Sequence, residues 1–374
     1  MIRIALVGLG KMGLSHHANL NSHPDEKLVA VCDPARYILD MLNKYTGVKC
    51  YADFQKMLDA EELDAVFIAT PSRTHGAMVR MALEKNLHVF CEKPFCLDLA
   101  EGKELVALAE SRGLVNQVGY HHRFISSFVE AKRLLDEGLV GDVYNVKIES
   151  YGPVVLKAKG ETWRTKKIEG GGCLYDYASH GIDLLNFLIG RPDHVGGTSL
   201  NKIFSPDVED EVHSTLFYKN GLTAQLAANW SDESFRKMST KVSIWGRNGK
   251  IIVDRQELQI YLKSKPAGDS KLNPGWNLIY APEMTEGVWF YLRGEEYSAQ
   301  VDHFIDSVQL RRPLTRSSFR SAFEADAVTD MILQDALRDW RESVPSRPAA
   351  TLAVGGWRGA IRDFYSNLRS PSGT

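Results

Sequence analysis

The stretch Ile2-Arg3-Ile4-Ala5-Leu6-Val7-Gly8-Leu9-Gly10-Lys11-Met12-Gly13 decides the fold of this 374-residue chain. A mostly apolar run of strand length leads directly into three glycines with the spacing GxGxxG, and helical sequence follows. A strand, a tight turn and a helix in this order open a parallel α/β sheet. Glycine permits the turn, lets a ligand approach the backbone N–H groups, and allows the helix to pack closely on the strand.

Further apolar runs of strand length follow in the first third of the chain, and longer helical stretches separate them. We predict strands at Leu28–Cys32, Ala65–Ala69, His88–Cys91 and Leu114–Val118, with helices at Ala77–Glu84 and Leu99–Glu110. Nearly continuous apolar strands that alternate with helices indicate a parallel sheet covered on both faces. Residues 1–122 are therefore assigned to a doubly wound Rossmann domain of the α/β class.

The second half of the chain has a different pattern, with polar residues inside the apolar runs. Asn220-Gly221 and Asn248-Gly249 each separate two strand patterns, which is a strong hairpin signal. We predict helices at Leu174–Ile189, Glu295–Leu310 and Phe319–Trp340, and expect one of the last two to pack against the first domain. Residues 123–340 are assigned to an α+β domain with a large, mainly antiparallel open sheet, and 341–374 to a tail with a short helix.

Composition excludes several classes of partner. The net charge is -2 and 44% of the residues are hydrophobic, so no long-range attraction to nucleic acid or anionic membranes is expected. The sequence has five scattered cysteines, without the spacing of a disulfide framework or a zinc site. It enters a strand at its first residues and has no apolar run long enough to span a membrane. We expect a cytoplasmic protein without a metal.

The glycine turn predicts a dinucleotide site formed by Gly8, Gly10, Lys11, Met12 and Gly13. The amino terminus of the helix that follows supplies partial positive charge for a pyrophosphate. A carboxylate at Asp33, twenty residues after Gly13, can accept hydrogen bonds from an adenosine ribose. It also favours NAD over NADP, because it repels a 2′-phosphate; Arg36 weakens that preference. The alternative is a turn that serves packing only, with Asp33 as a strand-end cap.

Two more candidates for cofactor contact follow the strand predicted at Ala65–Ala69. Thr70-Pro71 and His75 lie where the carboxyl end of that strand meets the crevice. A simpler interpretation makes Thr70-Pro71 a loop and His75 the start of a helix. The sequence does not separate the two.

Cys91-Glu92-Lys93-Pro94 ends the fourth predicted strand. A lysine at the carboxyl end of a parallel strand points into the crevice where open α/β sheets bind ligands. An ammonium group there can assist proton transfer beside a nicotinamide ring. Lys93 is therefore a candidate catalytic residue.

The predicted helix Leu174–Ile189 follows Gly170-Gly171-Gly172 and carries three polar residues on one face. Asp176, His180 and Asp183 have the spacing i, i+4, i+7. An imidazole can take a hydroxyl proton, and a carboxylate one turn away can orient a substrate hydroxyl. The alternative is a solvated polar face without function.

The chain resembles the Gfo/Idh/MocA family, which is named for glucose–fructose oxidoreductase, inositol dehydrogenase and a rhizopine-catabolism protein. The resemblance covers about residues 1–340 and rests on the GxGxxG turn, Asp33, Glu92-Lys93-Pro94, the Asp176-x-x-x-His180 helix and the antiparallel second half. It implies that Lys93 is the catalytic lysine, Asp176 a substrate-positioning acid and His180 the general acid/base. Glu92 is implied to be a structural residue near the cofactor, and Pro94 a turn residue prone to the cis form.

Two further segments contain candidates for substrate contact, the first of them through the resemblance. Gly119-Tyr120-His121-His122-Arg123-Phe124 is similar to the segment that links the family's domains, and Tyr120 or Arg123 either borders the substrate or packs between domains. Trp163 lies within a basic cluster of Lys157, Lys159, Arg164, Lys166 and Lys167. The cluster forms either a solvated face or a clamp for an anionic sugar, on which Trp163 stacks.

These features together predict an NAD-dependent dehydrogenase that oxidises a secondary hydroxyl of a sugar or cyclic polyol, or reduces the ketone. Two alternatives share the fold: a glycosidase that uses NAD without net redox change, and a non-enzymatic sugar or nucleotide sensor. A homodimer or homotetramer through the second-domain sheet is expected. The sequence does not identify the substrate, the carbon oxidised or the direction of the reaction.

Overall fold

The computed structural model describes residues 1–154, 163–266, 271–285, 287, 289–290 and 295–338. Residues Met1–Asp339 form one compact unit, and both predicted sheets lie within it. The short helix predicted in the tail 341–374, Lys157 and Lys159 lie outside the described residues. The domain boundaries at 122 and 340 stay predictions.

The first sheet confirms the predicted Rossmann architecture. Its strands are β1 (Ile2–Val7), β2 (Glu26–Cys32), β3 (Lys49–Tyr51), β4 (Ala65–Ile68), β5 (His88–Cys91) and β6 (Asn116–Val118). They are all parallel and lie in the order β3-β2-β1-β4-β5-β6. The direction of winding reverses between β1 and β4, which is where open α/β sheets bind their ligands.

Helices connect these strands and cover both faces of the sheet. They are α1 (Lys11–Leu20), α2 (Arg36–Thr46), α3 (Phe54–Ala60), α4 (His75–Glu84) and α5 (Leu99–Ser111). Side chains cap two of them: Asp53 accepts a hydrogen bond from Lys56 N, and Asp98 accepts from Ala100 N and Glu101 N. Such caps satisfy N–H groups that the first turn leaves unpaired.

One strand was missing from the prediction. His88–Cys91 is the fifth strand rather than the predicted fourth, because β3 precedes it, and Lys93 therefore follows the fifth strand. β3 has only three residues, lies at the sheet edge and is not fully buried. It therefore lacks the continuous apolar run by which the other strands were recognised.

The second sheet has eight strands and is mainly antiparallel, as predicted. They are β7 (Val143–Tyr151), β8 (His194–Asn201), β9 (Glu211–Phe217), β10 (Thr223–Asn229), β11 (Ser239–Gly246), β12 (Gly249–Val253), β13 (Glu257–Leu262) and β14 (Gly275–Tyr280). Their order is β14-β13-β12-β11-β7-β10-β9-β8, and β7 and β10 form the parallel pair. Both Asn-Gly hairpins are confirmed, since β9 pairs with β10 and β11 with β12 in antiparallel register.

The remaining α-helices of the described residues follow β6 in the chain. They are α6 (Ser126–Asp136), α7 (Ser179–Leu188), the short α8 (Ala281–Met284), α9 (Glu295–Gln309) and α10 (Phe319–Ala336). Phe304 of α9 packs edge-on against Phe67 of β4 and Phe90 of β5, with ring centroids 5.2 and 6.0 Å away. A late helix therefore packs against the first sheet, as expected from the sequence.

Candidate active site

The three glycines of the turn after β1 differ in how much space a Cβ would have at each position. Gly8 has a φ of +87°, and a Cβ there would lie 2.6 Å from Ala69 O. A Cβ on Gly13 would lie 1.8 Å from Gly8 O, whereas a Cβ on Gly10 would meet nothing within 4 Å. Gly8 and Gly13 are therefore required for packing, and Gly10 leaves room for a ligand against the start of α1. Lys11 and Met12 form the first turn of that helix.

The start of α1 suits a pyrophosphate. Gly10 is its N-cap, no side chain caps the helix, and the first turn has no acidic residue. Its N–H groups and partial positive charge thus face the space left by Gly10. These features fit the dinucleotide that the turn predicts.

Asp33 lies directly after β2, and the protein itself orients its carboxylate. Oδ2 accepts a hydrogen bond of 2.7 Å from Leu9 N in the glycine turn, and Oδ1 accepts one of 2.8 Å from Ala35 N. The carboxylate is half-buried and held beside the turn, where a ribose diol would reach it. Arg36 is exposed at the start of α2.

The segment after β4 includes Thr70, Pro71 and His75. Pro71 is exposed, and the hydroxyl of Thr70 accepts a hydrogen bond of 2.8 Å from Thr74 Oγ1. His75 is buried as the first residue of α4, with Nδ1 2.7 Å from Pro94 O and Nε2 2.9 Å from Thr70 O. Burial lowers the pKa of His75, against the effect of these carbonyl groups. His75 thus links the loops after β4 and β5, and its ring nitrogens are engaged within the protein.

Lys93 follows β5 at the same edge of the sheet. Its Nζ donates hydrogen bonds of 2.8 Å to Asp176 Oδ1 and 3.0 Å to Asp176 O. The Lys93–Pro94 peptide bond is cis, in agreement with the expectation for Pro94. The preceding Glu92 is buried, and its Oε1 lies 2.7 Å from His16 Nε2.

The helix that carries Asp176 and His180 begins with a wide turn. Leu174–Ala178 form a π-helical turn that continues into α7. Asp176, His180 and Asp183 lie on this helix, and all three are buried. The alternative of a solvated polar face is therefore wrong, because other elements cover both sides of the helix.

Asp176 is shared by two cations. Lys93 binds one carboxylate oxygen, and Arg164 Nε donates a hydrogen bond of 2.8 Å to the other. Burial raises the pKa of Asp176, but the attraction of Lys93 and Arg164 is stronger and lowers it to about 2. Asp176 is thus a fixed carboxylate near neutral pH, suited to holding Lys93 in place.

A glycine positions Arg164. A Cβ on Gly171 would lie 2.3 Å from Arg164 O, and Gly172 N donates to the same carbonyl oxygen at 3.0 Å. The Arg164 guanidinium lies over the ring of Trp163, 4.7 Å from its centroid. Lys166 and Lys167, in contrast, are exposed. Of the basic residues that the structure describes in this cluster, Arg164 therefore binds the Asp176 carboxylate, whereas Lys166 and Lys167 lie on the protein surface.

His180 lies one helical turn after Asp176, among other aromatic rings. The rings of His121 and His122 lie 4.9 Å from it, and the ring of Tyr120 lies 5.9 Å away in an edge-on contact. Burial lowers the pKa of His180 far below its usual value, and Lys93, His122 and His121 lower it further. The imidazole is therefore neutral near pH 7, with one of its ring nitrogens unprotonated.

Tyr120 and Arg123 are buried beside this helix. Burial raises the pKa of Tyr120 well above its usual value. Arg123 forms a double hydrogen bond with Asp183, at 2.8 Å from Nε and 2.7 Å from Nη2, and also donates to Arg316 O. The guanidinium of Arg123 is thus engaged in packing, which was one of its two predicted roles.

Three histidines near the site were not singled out from the sequence. His121 and His122 follow Tyr120 and contact His180, and His16 binds Glu92 from α1. No local pattern marks such contacts, because each joins residues that are far apart in the chain. The three adjacent basic residues His121-His122-Arg123 were the available signal, since such a run is seldom buried without a role.

Comparison with known proteins places this arrangement in a family. Residues 2–120 match a family model described as "Oxidoreductase family, NAD-binding Rossmann fold". Residues 128–252 match the GFO/IDH/MocA C-terminal domain, and together the two models cover more than half of the chain. The chain belongs to the Gfo/Idh/MocA family. As a member, it is an oxidoreductase with an NAD-binding Rossmann domain.

Curated Gfo/Idh/MocA relatives include enzymes that act on polyols and sugars. The scyllo-inositol 2-dehydrogenase (NAD(+)) of Bacillus subtilis is 32% identical over 195 residues, which are 50% of this chain and 54% of the relative. The D-glucoside 3-dehydrogenase of Escherichia coli is 28% identical over 260 residues, which are 64% of this chain and 74% of the relative.

A solved structure shows the same fold. Levoglucosan dehydrogenase in complex with NADH and levoglucosan aligns over 90% of this chain and 97% of its own, with a TM-score of 0.75 and 21% identity. Among the described residues, no helix has the length and apolar character needed to cross a membrane. Nor do these residues contain a group of three His, Cys, Asp or Glu side chains suited to a metal.

Proposed function

We propose that this protein is an NAD-dependent dehydrogenase that oxidises a secondary hydroxyl of a sugar or cyclic polyol to a ketone, or catalyses the reverse reaction. The observation that carries the proposal is the contact of 2.8 Å between Lys93 Nζ and Asp176 Oδ1, with His180 one turn further along the same helix. It joins two of the predicted catalytic residues at the carboxyl edge of the nucleotide-binding sheet.

Each of the three side chains has a distinct role in this proposal. His180 accepts the hydroxyl proton; its Nδ1 is buried without a hydrogen-bond partner among the described residues. Lys93 orients the reacting oxygen, and Asp176 holds Lys93 in place. When bound, NAD supplies hydride acceptance, and holding the substrate at contact distance accounts for a large part of the rate.

The residues that hold the cofactor are proposed on the same basis. Gly10 leaves space at the start of α1, and Asp33 presents a fixed carboxylate beside the turn. Both features suit the pyrophosphate and the ribose of NAD, and the carboxylate disfavours a 2′-phosphate. Relatives that are named as sugar and inositol dehydrogenases support the class of substrate.

The test is a reduction screen with NAD and NADP over sugars, inositols, sugar acids, sugar phosphates and nucleotide sugars. A dehydrogenase releases one NADH for each substrate molecule oxidised, and NAD should exceed NADP as cofactor. Glycoside cleavage without NADH release supports the redox-neutral glycosidase instead. Binding without any turnover supports the sensor, and either result overturns the proposal.

We also propose that the open face of the second sheet forms a homodimer or homotetramer. Tyr261 pairs directly with Trp276 across β13 and β14, and Lys250 lies over the ring of Trp245 in the neighbouring strands. Trp276 and Leu278 are 59% and 47% exposed, which is unusual for apolar side chains on a regular sheet. A second copy of the chain would cover this row, since most soluble homo-oligomers are built through such self-complementary patches.

A further inference from the structure

We propose that His16 is a positioning residue for the reaction, because its hydrogen bond to Glu92 keeps Lys93 paired with Asp176. The inference rests on the proposed function in one respect only, namely that Lys93 takes part in the chemistry. His16 lies on α1, three residues after the last glycine of the dinucleotide turn. Its Nε2 binds the Glu92 carboxylate, whereas Asp176 binds the side chain of the next residue, Lys93.

The His16 ring is fixed in place. Only 1% of the residue is exposed, and the ring packs against Phe67 and Phe90, with centroids 5.7 and 5.0 Å away. Its Nε2 lies 2.7 Å from Glu92 Oε1, while Nδ1 is buried without a hydrogen-bond partner among the described residues. The polar function of the ring in this structure is therefore the single bond to Glu92.

The Glu92 carboxylate has little freedom. It lies so close to Gly119 that a Cβ there would be 2.6 Å from Oε2. The backbone of Glu92 is held by β4, since its N–H donates to Ile68 O at 2.8 Å. Its second carboxylate oxygen makes only a long contact of 3.3 Å with Lys93 N. Among the described residues, His16 thus provides the one short side-chain hydrogen bond to this buried carboxylate.

Lys93 lies next to two carboxylates, since its Nζ binds Asp176 and its backbone N lies 3.3 Å from Glu92 Oε2, and we expect His16 to decide which of them the ammonium binds. In the structure Lys93 Nζ binds Asp176, while His16 is hydrogen-bonded to Glu92. A buried carboxylate that has lost its donor is strongly destabilised and attracts the nearest cation. Without the His16 donor, Glu92 would compete with Asp176 for Lys93 and turn the ammonium away from the cleft.

The test compares His16→Phe, which keeps a ring but loses the donor, with His16→Gln, which retains a donor. The control is His17→Phe, a change of the same kind at the next residue of α1. We measure kcat, the KM for NAD and the thermal midpoint, using a substrate from the screen. His16→Phe should lower kcat roughly ten- to hundredfold, the effect of a small misplacement of a reacting group. The KM for NAD should change by less than about threefold, and His16→Gln should recover most of the activity.

A double variant separates positioning from general damage to the fold. If Glu92 competes for Lys93, then His16→Phe combined with Glu92→Gln should be more active than His16→Phe alone, because the competing charge is removed. Wild-type kcat in His16→Phe, a loss confined to the KM for NAD, or no recovery in the double variant overturns the proposal.

A crystal structure of His16→Phe tests the inference independently of the proposed function. Lys93 Nζ should lie on Glu92 rather than Asp176, even if no compound in the screen is oxidised. Lys93 still bound to Asp176 in that structure overturns the inference and leaves the proposed function untouched.

Discussion

Asp176 joins two cations whose own positions are set by different parts of the chain. Lys93 follows a strand of the nucleotide-binding sheet, and Arg164 lies in the segment packed against the glycines that precede the helix. The carboxylate stays ionised because both cations lower its pKa, against the effect of burial. A carboxylate with a pKa of about 2 is a poor proton acceptor near neutrality, so the proposed mechanism gives that role to the neutral imidazole of His180.

Removal of either reacting side chain should slow turnover strongly. We expect Lys93→Ala and His180→Ala each to reduce kcat by roughly two to four orders of magnitude, the usual contribution of a positioned acid or base. Steady-state kinetics with the substrate identified in the screen provide the measurement. Turnover that stays at the wild-type level in both variants contradicts the mechanism.

Two glycines of the same turn should respond in opposite ways to alanine. Gly10→Ala places a methyl group where the protein has nothing within 4 Å, so the apo protein should keep its thermal midpoint but bind NAD more weakly. Gly13→Ala drives a Cβ to 1.8 Å from Gly8 O and should destabilise the fold itself. Thermal unfolding and NAD titration distinguish the two effects. Unchanged NAD affinity in Gly10→Ala would falsify the placement of the cofactor.

At the scale of elements, the helix α7 with its preceding wide turn organises the site. It presents Asp176 and His180 to the nucleotide-binding sheet, and Asp183 to the segment His121–Phe124 through Arg123. The pair of Asp183 and Arg123 is buried, with 0% and 6% of the side chains exposed. It ties the helix to the segment that follows β6.

Loss of Arg123 should destabilise the protein, because it leaves the Asp183 carboxylate buried without a cation. We expect Arg123→Ala to lower the free energy of unfolding by about 3–5 kcal/mol, as measured by urea denaturation. Arg133→Ala is the matched control: its ion pairs with Glu130 and Glu137 are on the surface, and their loss should cost about 1 kcal/mol or less. Equal losses in the two variants contradict the structural role of Arg123.

The sequence predicted these elements well where one local pattern was sufficient. Five of the six Rossmann strands, both Asn-Gly hairpins and the spacing of Asp176 and His180 follow from apolar runs, turn residues and helical periodicity. The burial of the polar face of α7 was not predictable, because a helical wheel does not show what covers a face. The short strand β3 was missed, and so was the contact of His16 with Glu92, which depends on residues 76 positions apart.

At the scale of the whole molecule, buried histidines concentrate around the site. His121, His122 and His180 lie within contact of one another, and burial lowers all three pKa values, that of His122 to about 3. Lys93 faces the whole group, and Arg255 acts on His121 and His122. These cations oppose a further positive charge in the folded state.

Stability should therefore fall as the pH decreases below about 6.5, the usual pKa of a histidine in the unfolded chain. In this pH range the histidines bind protons in the unfolded state but stay neutral in the folded state. Each such histidine therefore lowers the free energy of unfolding by about 1.4 kcal/mol for every unit by which the pH decreases. Urea denaturation between about pH 7 and pH 5 measures how the free energy of unfolding changes with pH. His122→Asn should reduce that slope by the contribution of one bound proton. A free energy of unfolding that stays constant over this range rules out the buried, neutral cluster.

The exposed row on the second sheet should determine the oligomeric state. We expect Trp276→Glu combined with Leu278→Glu to give a monomer in sedimentation experiments, because buried charges oppose the pairing of two apolar faces. Tyr37→Glu serves as the control, since Tyr37 is 73% exposed on α2, outside that sheet. Wild-type protein that already sediments as a monomer contradicts the proposed interface.

The wide turn Leu174–Ala178 also affects how this site can change in evolution. A regular helix rotates by about 100° per residue, so the loss of one residue between Asp176 and α7 would swing the carboxylate to a different side. The histidine, the lysine and the glycine turn would all persist after such a deletion. A related chain could thus lose the acidic group in one step while keeping every other motif. Its sequence would still align well with this one, although its chemistry would differ.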